Sequence, residues 1–76
     1  TELERDDVVH AVRAAIARLP EKQRMALILA KYHDTPYVEI AEVLGSSEKA
    51  IKSLIHRARE SLREWLAPFL RQGDLS

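Results

Sequence analysis

The sequence predicts an all-α fold of four helices. Apolar residues recur at three- and four-residue spacing along nearly the whole chain, and no stretch alternates polar with apolar residues as a half-buried strand would. Helix-breaking residues are scarce, two glycines and three prolines, and most of them stand where a helix has to end. A hydrophobic fraction of 46% supplies a packed core and argues against disorder. With 76 residues the chain is expected to be a single domain over 1–76, near the lower size limit for folding on a core alone.

The first helix is expected over about 2–18, with Val8, Val12, Ala15, Ile16 and Leu19 on one stripe and Glu4, Arg5, Asp7 and Arg13 mostly off it. Pro20 ends it, because proline cannot donate an amide hydrogen and crowds the preceding turn. The second helix, about 20–32, takes Pro20 into its first turn and Glu21 at the positive end of its dipole. Between Met25 and Ala30 it is apolar on most of its circumference, which marks it as the central helix of the core. After a short connection, Thr35 reads as a hydroxyl cap and Pro36 as the first residue of a third helix, about 36–43, burying Ile40, Ala41 and Leu44. Gly45 stops it and Ser46-Ser47 offers a new cap for a fourth helix, about 47–66. Pro68 limits its extension, Phe69 and Leu70 can pack as an extra turn, and Gln72 to Ser76 reads as a frayed tail.

The third helix, the turn and the fourth helix have the proportions of a helix-turn-helix, over about 36–59. Three positions in it are physically constrained. A small residue on the first helix lets the second approach (Ala41). A turn residue tolerates a left-handed backbone (Gly45), and a branched apolar residue fills the angle between the helices (Ile51). Each alone is weak; in order, they distinguish the motif from an ordinary helical hairpin.

A helix-turn-helix raises the question of DNA, and the overall charge is an objection. Twelve basic residues balance twelve acidic ones, whereas phosphate binding usually leaves a basic footprint. Distribution answers it. At about 100° per residue, Ile51, Ile55, Ala58, Leu62, Trp65 and Phe69 return to one face of the fourth helix, while Lys49, Lys52, His56, Arg59 and Arg63 fall within a neighbouring sector of roughly 80°. Glu60 and Glu64 lie beyond that sector. The first turns of such a helix meet base edges, so Ser47, Glu48, Lys49, Lys52 and Ser53 are the candidate readers, lysine for guanine acceptors and glutamate for the cytosine amine. Arg57, Arg59 and Arg63 are candidate phosphate contacts, and His56 suits either role.

Taken together, Leu19-Pro20-Glu21-Lys22-Gln23-Arg24, Tyr37 to Gly45, Ile51-Lys52-Ser53 and His56-Arg57-Ala58-Arg59 resemble region 4 of bacterial sigma factors, nearest the extracytoplasmic-function group. The resemblance covers roughly Leu19 to Leu66. It implies recognition of the −35 element of double-stranded promoter DNA, docking on the β flap of RNA polymerase core, and anti-sigma factors as sequestering partners. It also implies a place for Arg24 near the DNA backbone. Two positions depart from the family pattern: Leu54 stands where an arginine usually follows Lys-Ser, and Glu48 is less usual at the helix start. By the angular count Leu54 lies at the edge of the apolar face and extends the core instead. The module that melts DNA in a complete sigma factor has no counterpart in these residues.

Other classes find little support. There is no cysteine, and His10, His33 and His56 are scattered without metal-ligand spacing, so neither a metal nor another cofactor is expected. No serine sits in a nucleophile elbow, and Asp6-Asp7 and Glu39/Glu42 read as solvated helix charges, so no enzyme is expected. No apolar run approaches the roughly 20 residues a membrane span needs and no signal peptide is visible, which points to the cytoplasm. Trp65, Phe69 and Leu70 form an apolar end that reads as a cap on the core. Two alternatives share the helical plan: a response-regulator output domain, and a protein-interaction module that kept the helix-turn-helix shape. The chain starts at Thr1 without a methionine, as a piece of a longer protein would.

Overall fold

The computed structural model describes residues 2–72, with side chains placed from 6 to 69. Among these residues there are five helices and no strand: α1 Glu2–Arg18, α2 Glu21–Tyr32, α3 Tyr37–Leu44, α4 Glu48–Trp65 and α5 Ala67–Gln72. The four expected helices are present with ends within one residue of their expected places. The extra turn anticipated around Phe69 is the short helix α5, whose last residue is Gln72; the rest of the expected frayed tail, 73–76, lies outside the described residues.

The starts of α2 and α3 differ from expectation in an instructive way. Pro20 and Pro36 stand just before the first helical turn, with φ/ψ of −55/148° and −60/147°. Each caps with its carbonyl: Pro20 accepts from the Arg24 amide at 2.9 Å, and Pro36 from those of Glu39 and Ile40, both at 3.0 Å. Thr35 therefore makes no side-chain cap. A capping residue needs an extended ψ, and its own amide takes no part in the helix, so proline fits there at its locked φ without loss.

Among the described residues two have positive φ, each closing a helix. Asp34, at φ 50°, follows α2, where the Thr35 amide turns back to the Leu29 carbonyl at 3.0 Å. Gly45, at φ 66°, ψ 39°, follows α3. Its own amide donates to Glu42 and that of Ser46 to Ala41 at 2.8 Å, the paired closure that satisfies the last carbonyls of a helix.

The core comprises Leu19, Ala26, Leu27, Ile40, Ala41, Ile51, Ile55 and Ala58, with Tyr37, Leu44, Leu54, Leu62 and Trp65 packed around it. Its centre is α4, which packs against each of the other four helices. The sequence pointed to α2 instead. That helix does bury Ala26 and Leu27, but leaves Met25 38% and Tyr32 62% exposed. Its apolar circumference exceeds what the two flanking helices cover.

Only the C-terminal end of α1 is fully engaged. Ala15 and Leu19 are buried, whereas Val8, Val12 and Ile16 of the expected stripe are half-buried, because α1 meets chiefly α4 and nothing among the described residues closes over its N-terminal half. The Arg18 guanidinium lies over the Trp65 ring, 3.9 Å from its centroid, pinning the end of α1 to the end of α4. Trp65 is thus a core cap, as its position in the apolar stripe suggested.

Candidate nucleic-acid interface

Helices α3 and α4 form the helix-turn-helix. Ile40 and Ile51 are completely buried and Ala41 is 5% exposed, so a small side chain on α3 and a branched one on α4 fill the angle between the two helices. Gly45 supplies the turn. The same contacts fix which way α4 faces: with Ile51, Ile55 and Ala58 turned inward, Lys49, Lys52, Ser53, His56, Arg57, Arg59 and Arg63 are all exposed. Helical geometry at about 100° per residue gathers Lys49, Lys52, His56, Arg59 and Arg63 on one side. Arg57 is not gathered with them. It projects roughly 160° from Arg59 on the same arithmetic and flanks the other side of the apolar face.

The start of α4 leaves hydrogen-bond donors exposed. The Ser47 Oγ accepts from the Ala50 amide at 3.1 Å, which leaves its own O–H free to donate outward. The Glu48 and Lys49 amides have no partner within the helix and stand at the positive end of its dipole. Glu48, anomalous as a phosphate neighbour, has a structural role here, since an acidic residue in the first turn stabilises that dipole. With Lys49 and Lys52 it lines an open depression, so donors and an acceptor lie side by side there. Leu54 is half-buried and packs against the core, which explains why this position is apolar rather than another exposed cation.

Two features were not foreseen. Arg24, half-buried on α2, donates through Nη1 to the Leu19 carbonyl at 3.0 Å and to that of Ala17 at 3.5 Å, closing the end of α1 across the bend. It therefore braces the elbow between α1 and α2. Glu60 is not outside the reach of the basic stripe. Its Oε2 accepts from Arg63 Nη1 at 2.9 Å and lies 4.0 Å from His56 Nε2. The i, i+3 and i, i+4 spacings that make these pairs were visible in the sequence.

An exposed cationic stripe on the second helix of a closed helix-turn-helix defines the class of DNA-binding helix-turn-helix modules. The comparisons specify which. The family described as sigma-70, region 4 matches residues 10–62. The RNA polymerase sigma-H factor of Pseudomonas aeruginosa is 37% identical over 69 residues, which make 91% of this chain and 36% of that protein. The ECF RNA polymerase sigma factor SigJ of Mycobacterium tuberculosis is 38% identical, covering 91% of this chain and 22% of its own length. SigW of Bacillus subtilis, also an ECF sigma factor, is 32% identical over 79% of this chain and 32% of its own. The chain belongs to the sigma-70 region 4 family, in its extracytoplasmic-function branch. It spans about a third or less of the length of these relatives. Membership of this family displaces the response-regulator alternative.

Proposed function

We propose that this domain reads double-stranded promoter DNA at the −35 element, as region 4 of a sigma factor directing RNA polymerase to start transcription. The observation that carries the reading is the two-sided α4: one face is locked in the core by Ile51, Ile55 and Ala58, the other carries Lys49, Lys52, His56, Arg59 and Arg63 into solvent. In this reading Ser47, Glu48, Lys49, Lys52 and Ser53 meet base edges, and Arg59 and Arg63 meet phosphates. His56 serves either role and Arg57 meets phosphate at the flank. Arg24 keeps its brace on α1 through Nη1, and its other guanidinium N–H groups are the ones that would meet the backbone. The reading extends to the β flap of the polymerase core as docking partner, to anti-sigma factors as sequestering partners, and to the cytoplasm as location. No catalytic residue is assigned. No helix among the described residues is long and apolar enough to cross a membrane.

A neutral domain with one basic stripe makes few phosphate contacts, so it should bind promoter DNA weakly by itself, and tethering to polymerase recovers the affinity through effective concentration. With about four phosphates contacted, the log–log dependence of affinity on salt should have a slope near −3.6, from about −0.9 per contact. Alanine at Lys49, Lys52 and Arg59 together should flatten that slope while helicity is unchanged. Unchanged promoter affinity in that stable variant would favour the protein-interaction alternative, which the neutral overall charge supports.

A further inference from the structure

The cations of α4 are not equally available. Both ion pairs found among the described residues converge on one atom, Glu60 Oε2, which Arg63 approaches at 2.9 Å and His56 at 4.0 Å. All three side chains stand in solvent, at 53% exposure for Glu60, 69% for Arg63 and 74% for His56, so neither burial nor core packing accounts for the arrangement. The stripe is thereby divided. Lys49 and Lys52, at the N-terminal end, line the open depression, whereas His56 and Arg63 carry their own counter-charge. A carboxylate bound to Arg63 competes with phosphate for the same guanidinium, because both present two acceptor oxygens to one planar fork.

We infer that Glu60 is an internal competitor for the DNA backbone: it occupies Arg63 and shields His56, so that these two members of the stripe engage phosphate fully only after this carboxylate is displaced, while Arg59 stays available. The inference rests on the DNA-binding reading above and adds a residue that limits affinity without touching the base-reading end. Because phosphate contact is independent of sequence, the competition acts on promoter and random DNA alike. Its effect is to keep the free domain a weak binder everywhere, leaving discrimination to Lys49, Lys52 and their neighbours.

The test is a double-mutant cycle on this chain with a short fluorescein-labelled duplex of random sequence, read by anisotropy across a salt series. Glu60→Gln keeps the shape and removes the charge; at low salt it should tighten binding about threefold, the scale of an exposed ion pair, and steepen the log–log salt slope by about 0.9, one added phosphate contact. In an Arg63→Ala background the same change should give much less, since the guanidinium it releases is gone. Salt-dependent binding by the parent chain with no gain in Glu60→Gln would overturn the competitor and leave the DNA reading intact. An equal gain in both backgrounds would also overturn it, showing simple repulsion by Glu60. A parent chain whose binding does not depend on salt would overturn both.

Discussion

Gly45 and Asp34 hold the two left-handed backbones of the described chain, and they differ in what a substitution does. A Cβ built on Gly45 meets nothing within 4 Å, so the strain in Gly45→Ala is that of the backbone alone. It should cost about 1 kcal/mol, measurable as a shift of the urea midpoint at constant m-value. Asp34 already carries a side chain in that conformation, which aspartate tolerates better than most residues. Ile51 is a different case, fully buried at the junction of α3 and α4. Ile51→Ala should cost about 2–5 kcal/mol, enough to unfold much of the population of a domain this small, whereas Ile51→Val should cost about 1 and leave a cooperative melt. Ala41, Gly45 and Ile51 were legible in the sequence because each is fixed by local geometry and a single neighbour. Arg24 and Asp34 were not. The partners of Arg24 lie on the far side of a bend, and nothing in the side chain of Asp34 announces which way its backbone turns.

At the level of elements, the N-terminus of α4 joins stability to recognition through one hydroxyl. Ser47→Ala removes the cap on the Ala50 amide and should lower stability by about 1 kcal/mol in a thermal or chemical melt. Ser47→Asp separates the two roles. An aspartate caps as well as serine and favours the helix dipole, so the melt should hold or improve, while DNA affinity should fall because a negative charge replaces a free donor facing the polyanionic duplex. Equal affinity for Ser47→Asp and the parent would place this end of the helix away from the DNA. The boundaries of the four expected helices were readable to within a residue, since periodicity and prolines mark them, whereas the turn after Pro68 forms a fifth, separate helix. The role of each proline was not, because the capping position and the first helical position both tolerate a missing amide. The separation of Arg57 from Arg59 was implicit in the helical repeat and became plain once Ile51 and Ile55 fixed the inward face.

For the whole molecule, balanced charge means that no net field steers the domain toward DNA, and attraction is confined to one stripe. Its association rate with promoter fragments should therefore depend on salt much less steeply than that of a basic DNA-binding domain, a contrast stopped-flow mixing can measure. A steep dependence would reveal a larger basic surface than α4 provides. The centre of the molecule was the feature least legible in the sequence. Composition pointed to α2, but centrality depends on how many neighbours a helix meets, and only the assembled fold shows α4 touching all four others.

The division of α4 into a buried half and a bare half has a consequence for how such a domain can change. Lys49, Lys52, Ser53 and His56 are exposed, so under the proposed DNA-binding reading new DNA preferences are reachable one residue at a time without passing through unfolded variants. Ile51, Ile55 and Ala58, on the same helix, hold the viewing angle constant throughout such drift. A single fold in this arrangement can supply a large repertoire of readers, each aimed alike and differing only in the few side chains at its surface.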